Sequence, residues 1–150
     1  MTSKPIPNFV VSVPYTGTRF LKARFGGLSH VHTYTNWWDL LKACEGKILV
    51  APLRDPSLVW ASWCRRRIGG NNKDPLKVLG DFLHAWFKLH LLHERFEIQY
   101  VCVDKKHDPR IKDWRPVGAG EFAGSPPGYH QVDLRPIYDM PFIQTRYKIE

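Results

Sequence analysis

The amino-acid sequence predicts an α/β protein built as a three-layer sandwich around a mainly parallel central sheet. Short apolar runs of strand type alternate along the chain with longer segments whose apolar residues recur at helical spacing. Strands that are separated by helices form parallel β-α units, which place helices on both faces of the sheet. With 150 residues, 43% of them hydrophobic, the chain is long enough for a core, so residues 1–150 are predicted to form a single domain.

The first half of the chain contains two predicted strands, each followed by a helix. These elements are a strand at residues 9–13, a helix at 18–25, a short strand at 30–35 and a helix at 37–45. Gly26 and Gly27 end the first helix, because glycine adopts the left-handed conformation that closes many helices. Asn36 is an N-cap residue for the second helix, and Gly46 closes it. Residues 1–8, which include two prolines, are predicted to form an extended arm.

The second half contains two strands of buried type and two helices. They are predicted at residues 47–53 (strand), 55–67 (helix), 74–96 (helix) and 96–104 (strand). Asp55 and Pro56 suit the start of the first of these helices, as cap and first-turn residue. Leucine and aromatic side chains in the long helix fall at steps of three and four residues. Residues 105–130 are rich in proline, glycine and charge and are predicted to form a loop or lid, and the C-terminal segment has no clear pattern.

The net charge of +8 indicates an anionic partner, which the charge alone does not identify. Nucleic acid, a membrane surface and a small polyanion such as a nucleotide all satisfy it. No apolar run approaches the ~20 residues that span a bilayer, and the first residues lack a signal-peptide pattern. Cys44, Cys64 and Cys102 lack metal-ligand spacing and are interpreted as reduced thiols. These features predict a cytoplasmic location without a membrane span, and they leave the oligomeric state open.

The segment "VPYTGTRF", which follows the first strand, has the composition of an oxyanion-binding loop. Gly17 allows the main chain to approach a phosphate closely, and amides at the start of the next helix donate to anions. Thr16 and Thr18 add hydroxyl donors, and Arg19 adds a planar cation. The Walker consensus G-x-x-x-x-G-K-[ST] is absent, which disfavours an ordinary ATPase or GTPase. The alternative is a strand-to-helix turn without a ligand, because glycine and threonine are common in turns.

A second predicted strand ends in a similar combination of basic and hydroxyl side chains. In "LVAPLRDPSLVWAS", Arg54 stands at the end of the strand and Ser62 follows about two helical turns later. Arg65 and Arg66 come three and four residues after Ser62, on the same side of the helix. These residue types suit a second oxyanion, although arginines at a helix end are more often solvated and paired with carboxylates. If the two strands are neighbours, both motifs lie at the carboxyl edge of the sheet.

Taken in order, the two motifs resemble the sulfotransferases that use 3′-phosphoadenosine 5′-phosphosulfate. "PYTGTRF" resembles the family's 5′-phosphosulfate loop, which reads Pro-Lys-Ser-Gly-Thr-Thr-Trp or Lys-Gly-Gly-Thr-Arg. "LRDPSLVWAS" matches the family's 3′-phosphate motif, an Arg-(Asp/Asn)-Pro with a helical serine eight residues after the arginine. "FEIQYVCVDKKHD" resembles the strand that ends in a Tyr-Glu-Asp-Leu-like turn, so the resemblance spans residues 9–106.

The resemblance implies a P-loop-like nucleotide-binding topology and transfer of a sulfuryl group to an unidentified hydroxyl or amine acceptor. It assigns nucleotide binding to Tyr15, Thr16, Gly17, Thr18, Arg19, Arg54 and Ser62. Tyr15 stands where the family has its loop lysine, so Arg19 is predicted to supply the positive charge, with Lys22 one turn further along. The family's C-terminal Arg-Lys-Gly motif is absent, and the predicted lid "VGAGEFAGSPPGYHQ" is the segment that would replace it.

Sulfuryl transfer also needs a general base for the acceptor's proton, and a neutral histidine or a carboxylate is suited to that task. His32 is the predicted base, and with Arg19 it completes the predicted catalytic pair. His30 is the alternative on the same segment, and Glu94 and Asp104 are carboxylate alternatives. Histidines in these positions are more often satisfied within the core or solvated.

Three other classes of function are compatible with the sequence. A basic nucleic-acid-binding module would use the net charge and the aromatic side chains, although the basic residues are spread along the chain. A non-catalytic relative of the sulfotransferases would keep the fold, and Tyr15 favours it. A nucleotide kinase is disfavoured because the Walker lysine is missing. Trp37 and Trp38 suit an acceptor pocket, but such pairs more often pack a helix against a sheet.

Overall fold

The computed structural model describes residues 5–68, 75–103 and 134–145. Along the chain, the elements are β1 (Phe9–Ser12), α1 (Thr18–Arg24), β2 (Ser29–His32), α2 (Trp37–Cys44), β3 (Leu49–Leu53), α3 (Pro56–Ile68), α4 (Pro75–Arg95), β4 (Ile98–Cys102), α5 (Arg135–Tyr138) and α6 (Pro141–Gln144). The predicted loop at 105–130, the carboxylate of Asp104 and the start of the predicted arm lie outside the described residues.

Within the described residues, four strands form one parallel sheet in the order β2-β1-β3-β4, which confirms the predicted α/β class. Phe9 of β1 pairs with Ser29 of β2 on one side and with Leu49 of β3 on the other. The chain therefore leaves β1 in one direction to form β2 and returns across β1 to form β3. A reversal of this kind opens a crevice at the carboxyl ends of the two strands where it occurs. Here that crevice lies between the ends of β1 and β3.

Apolar side chains cover both faces of the sheet, and the arrangement is compatible with the predicted three layers. Val10 of β1 and Val50 of β3 pack with Leu21 of α1 on one face. Val11, the next residue of β1, belongs to the larger cluster on the other face, with residues of α2, α3 and α4. Successive side chains of a strand point to opposite faces, so this alternation follows from the pleat.

Four aromatic side chains pack between α3 and α4, on the face of the sheet that carries the larger core cluster. Phe82 of α4 lies 5.0 Å from Trp60 and 5.3 Å from Trp63 of α3, measured between ring centroids. Trp86, one turn after Phe82, lies 6.2 Å from it. All four rings are fully buried. Tilted and edge-on contacts at these distances are the geometries that aromatic pairs prefer, and large buried rings dominate core stability.

The predicted elements agree with the structure to within about three residues at each end. The predicted cap is also present, because the Asn36 side chain accepts a hydrogen bond from the Asp39 amide at 3.0 Å. The C-terminal segment, which had no clear pattern, contains two one-turn helices with proline in the first turn of each. Within the described ranges, no helix combines the length and apolar character needed to cross a membrane.

Replacing Phe82 by alanine is expected to lower the free energy of unfolding by about 3–5 kcal/mol, because it leaves a cavity between three indole rings. Urea unfolding followed by tryptophan fluorescence measures the loss. Phe87→Ala is the matched control on the same helix, since Phe87 is 49% exposed, and it should cost about 1 kcal/mol or less. Equal losses in the two variants would contradict this description of the core.

Candidate functional site

The two sequence motifs meet at the carboxyl ends of β1 and β3. The Arg54 guanidinium, directly after β3, donates through Nη1 to the main-chain oxygen of Tyr15 at 3.3 Å. The same nitrogen donates to the Ser62 hydroxyl on α3 at 3.4 Å. One arginine thus links the loop after β1 to the helix after β3. Three of the residues that the sequence assigned to an oxyanion site, Tyr15, Arg54 and Ser62, therefore meet at the sheet reversal.

The loop between β1 and α1 is a tight turn with two left-handed residues. Tyr15 has a φ of 69° and Gly17 a φ of 101°. The buried Thr16 hydroxyl donates to the Val13 carbonyl at 2.6 Å, and the Thr18 hydroxyl donates to the Ser12 hydroxyl at 2.9 Å. Both threonine hydroxyls are therefore used within the protein. The loop's donors for an anion would be main-chain amides, which the first turn of a helix leaves without intrahelical partners.

Gly17 is required by its surroundings as well as by its conformation. A Cβ atom at Gly17 would lie 2.9 Å from the Cγ2 atom of Val103, the residue that follows β4. Val103 is itself fixed, because its amide donates to the Leu53 carbonyl at 2.9 Å. The glycine therefore allows the loop to approach the end of β4. From the sequence, Gly17 was expected to let a phosphate approach the main chain. In the structure, the group that lies close to Gly17 is the Val103 side chain.

The Tyr15 side chain packs against α3. Its ring meets Trp63 edge to face, with 5.8 Å between the centroids. Arg19, in the first turn of α1, is exposed. The loop therefore presents an aromatic wall at position 15 and a solvent-facing cation at position 19.

A buried carboxylate fixes the start of α3 next to Arg54. Asp55 is 1% exposed, and its Oδ1 atom accepts hydrogen bonds from the Ser57 amide at 3.1 Å and the Ser57 hydroxyl at 2.9 Å. The Tyr138 hydroxyl of α5 also donates to Asp55 Oδ1. Burial raises the pKa of Tyr138, and the neighbouring Asp55 charge raises it further. The second motif is thus anchored to the C-terminal segment as well as to the sheet.

His32, the predicted base, lies at the end of β2, beside the loop. Its Nδ1 atom is 3.1 Å from the Ser12 hydroxyl. The His32 ring stacks on Tyr34 at 5.5 Å and meets His30 edge to face at 4.8 Å. Burial lowers the pKa of His32, and the nearby His30 and Lys22 lower it further. The lowered pKa favours the neutral imidazole, which is the form that a base requires.

A buried lysine holds the turn that follows His32. The Lys88 ammonium of α4 donates to the Thr35 carbonyl at 2.8 Å and to the Tyr34 carbonyl at 3.4 Å. Burial lowers the pKa of Lys88, as expected for an ammonium taken from water. These two bonds join α4 to the turn between β2 and α2, which keeps the His32 segment in place.

The remaining sequence candidates lie away from this crevice or have other partners. Glu94 pairs with His90 on α4, with 2.9 Å between Oε1 and Nε2. Trp37 packs against the core, whereas Trp38 is 78% exposed, so the pair does not line one pocket. The side chains of Arg65 and Arg66 fall outside the described part of the chain.

Three residues of the site carried little or no signal in the sequence. Ser12 lies within an apolar run in which a serine is unremarkable, and Lys88 is a single cation on an amphipathic helix. Tyr138 belongs to the segment without a clear pattern. In each case the partner is distant in the chain, so only the folded structure brings the two groups together.

A separate cavity of about 700 Å³ lies between α4 and the C-terminal helices. It is lined mainly by apolar side chains, with His84 and Asp139 also present, and shares no residue with the crevice. Within the described ranges, histidine, cysteine, aspartate and glutamate side chains form no group of three that would hold a metal ion. Comparisons with protein-family models, with curated protein sequences and with solved structures each found no match.

Gly17→Ala is expected to lower the free energy of unfolding by about 2–4 kcal/mol, from the left-handed φ and from the contact with Val103. Gly27→Ala separates the two effects, because Gly27 has a φ of 89° and open space around its Cα. It should cost only about 1–2 kcal/mol. Adding Val103→Ala to Gly17→Ala should recover part of the difference. Chemical unfolding of the four proteins tests this, and equal costs at the two glycines would contradict it.

Because the pKa of Tyr138 is raised in the fold, we expect the free energy of unfolding to fall at alkaline pH. In the unfolded chain a tyrosine loses its proton near pH 10, whereas the raised pKa keeps Tyr138 protonated in the fold. Its contribution is therefore complete below about pH 10 and is lost as the pH rises further, by about 1.4 kcal/mol per pH unit. Unfolding measured from pH 9 to 11 should show this extra slope in the wild type and in Tyr34→Phe, whose tyrosine is 56% exposed. Persistence of the slope in Tyr138→Phe would contradict the assignment.

Proposed function

We propose that the crevice binds 3′-phosphoadenosine 5′-phosphosulfate and that the protein transfers the sulfuryl group to a hydroxyl or amine acceptor. The observation that carries this proposal is the position of Arg54, which touches both the loop after β1 and Ser62. The two motifs that resemble the sulfotransferase nucleotide site are far apart in the sequence, and they lie side by side in the fold. We also propose that the parallel sheet has a P-loop-like topology, and this proposal rests on the same pair of motifs.

The 3′-phosphate is the group that Arg54 and Ser62 suit. A guanidinium presents several donors in a planar fork that matches phosphate geometry, and a hydroxyl adds a further donor. Arg54 is only partly buried, so the desolvation cost of its charge is modest. Asp55 holds the start of α3, which keeps the arginine and the serine in register.

The 5′ end of the nucleotide is assigned to the loop after β1. Main-chain amides near Gly17 and the first turn of α1 offer donors to the phosphate and sulfonate oxygens. Tyr15 cannot supply the positive charge that the family's lysine gives to the leaving phosphate. Arg19 is the exposed cation nearest in sequence, and a guanidinium can stabilise developing negative charge on that oxygen.

The reaction is a direct displacement at sulfur. A bond forms between the acceptor oxygen or nitrogen and sulfur, while the bond from sulfur to the bridging phosphate oxygen breaks. The phosphate oxygen keeps the electron pair and leaves as part of adenosine 3′,5′-bisphosphate. His32 takes the proton of the acceptor, and its lowered pKa supports this role because the imidazole is neutral beforehand.

A non-catalytic nucleotide-binding protein is the second candidate, and one observation favours it. Tyr15 fills the lysine position with a ring that packs on Trp63, so the loop carries no cation where the leaving oxygen would lie. Such a protein would bind the nucleotide through Arg54 and Ser62 without transferring sulfate. A transfer assay with labelled sulfate donor, a panel of phenols, sugars and amines, and His32→Ala as the inactive reference separates the two candidates.

Calorimetric titration with adenosine 3′,5′-bisphosphate and with adenosine 5′-monophosphate tests the nucleotide site. The wild type should prefer the bisphosphate, because only that ligand carries the 3′-phosphate. Arg54→Ala should weaken bisphosphate binding by about 10- to 100-fold, the value of a charged hydrogen bond. Its affinity for the monophosphate should change by no more than about twofold, and Ser62→Ala should show a smaller loss of the same kind.

Arg24→Ala is the matched control, since Arg24 is an exposed arginine at the end of α1. It should leave both affinities unchanged. Absence of bisphosphate binding by the wild type would overturn the proposal, and equal affinity for the two nucleotides would overturn the 3′-phosphate assignment. Tight, salt-dependent binding of oligonucleotides without nucleotide binding would favour the nucleic-acid-binding class instead.

A further inference from the structure

Hydrogen bonds from two distant parts of the chain meet on one oxygen of the buried Asp55 carboxylate. The Ser57 amide and hydroxyl donate to Oδ1 at 3.1 and 2.9 Å, and the Tyr138 hydroxyl donates to the same atom. The Ser57 amide also donates to the Tyr138 oxygen at 3.2 Å, so the three residues form a closed network. All three are buried. Tyr138 of α5 thus belongs to a cluster whose other members form the start of α3.

Asp55 is the N-cap residue of α3, and this position connects it to the candidate 3′-phosphate site. Its main-chain oxygen accepts from the Leu58 amide at 2.9 Å, and its side chain accepts from the Ser57 amide. An N-cap residue fixes the first turn of a helix by bonds of this kind. Arg54 directly precedes Asp55, and Ser62 lies in the second turn of α3. The orientation of Asp55 therefore affects both residues that are assigned to the phosphate.

The burial of Asp55 makes the Tyr138 hydroxyl necessary. Most aspartates are exposed to water, whereas Asp55 is 1% exposed, and a buried carboxylate is costly unless several donors compensate its charge. Burial and the neighbouring Asp55 charge raise the pKa of Tyr138, so the hydroxyl keeps the proton that it donates. A carboxylate that lost this donor would attract another, and Arg54 is the cation next to it in the chain.

We propose that Tyr138 is a positioning residue that keeps Arg54 available to bind an anion in the crevice. By donating to Asp55, Tyr138 holds the start of α3 and prevents the carboxylate from drawing the neighbouring guanidinium toward itself. Arg54 then keeps its contacts with the Tyr15 carbonyl and the Ser62 hydroxyl. The inference rests on the proposed function for the identity of the anion, which is the 3′-phosphate of the nucleotide.

Tyr138→Phe, which removes the hydroxyl and keeps the ring, tests this role in calorimetric titrations with the two nucleotides. Its affinity for adenosine 3′,5′-bisphosphate should fall by about 3- to 10-fold, the value of one hydrogen bond. Its affinity for adenosine 5′-monophosphate, which lacks the 3′-phosphate, should change by no more than about twofold. A residue that only stabilised the fold would alter both affinities alike or neither, so either of these results would overturn the proposal.

Asp55→Asn separates competition for the guanidinium from a general loss of rigidity. Asparagine is as good an N-cap residue as aspartate, but it carries no charge. Added to Tyr138→Phe, this substitution should recover most of the lost bisphosphate affinity, and absence of any recovery would contradict the competition. Ser57→Ala, which removes another donor from Asp55, should cause the same selective loss as Tyr138→Phe. It keeps the test decisive if Tyr138→Phe does not fold.

Tyr100→Phe is the matched control, because the Tyr100 hydroxyl also lies within hydrogen-bonding distance of a partner, 2.6 Å from His93 Nδ1. Its ring stacks on Phe142 of α6, so the control lies against the same C-terminal segment. The substitution should lower the free energy of unfolding and leave both nucleotide affinities unchanged. A selective loss of bisphosphate affinity in this variant would show that the effect is not specific to Tyr138.

A measurement without any ligand distinguishes failure of this inference from failure of the proposed function. In nitrogen-15 NMR, the Nε–H signal of Arg54 should shift in Tyr138→Phe, return toward its wild-type position when Asp55→Asn is added, and stay in place in Tyr100→Phe. If the wild type binds neither nucleotide and the signal moves in this way, the proposed function fails and the role of Tyr138 stands. An unmoved signal in Tyr138→Phe overturns that role, whether or not the nucleotide binds.

Discussion

The contact between the Arg54 guanidinium and the Tyr15 carbonyl is the interaction on which the candidate site depends. It is possible because β1 and β3 are adjacent and parallel, so that both of their carboxyl ends reach the same edge of the sheet. The crossover from β2 passes over β1 and creates the crevice there. Without that adjacency the loop and the arginine would be two unrelated polar features, each with an ordinary structural role.

Buried polar groups support this contact from both sides. Asp55 anchors the start of α3 through Ser57 and Tyr138, and Lys88 anchors the turn after β2 through two carbonyls. Burying a charge is costly unless several hydrogen bonds compensate it. Asp55 and Lys88 are two such buried charges, and they lie next to Arg54 and next to the turn that follows His32. Rigid support of this kind is what a preorganised site requires.

Much of the fold could be predicted from the sequence, because local patterns determine it. Alternation and helical spacing located the strands and helices, and the two motifs were expected to share one edge of the sheet if their strands were neighbours, which the pairing of β1 with β3 confirms. The hydroxyl of Thr16 was not predictable in the same way, since donation to the Val13 carbonyl depends on the loop's conformation. The partners of Ser12 and Tyr138 depend on strand register and on a segment whose helices are too short to show periodicity.

The position of β2 has a consequence for association between molecules. β2 lies at an edge of the described sheet, where a strand presents unpaired main-chain groups to other chains. Many proteins protect such an edge with charge, but burial lowers the pKa of both His30 and His32, which favours their uncharged forms. A strand of only four residues also offers few hydrogen bonds to an invading strand. The short length of β2 is therefore expected to limit pairing between the sheet edges of two molecules.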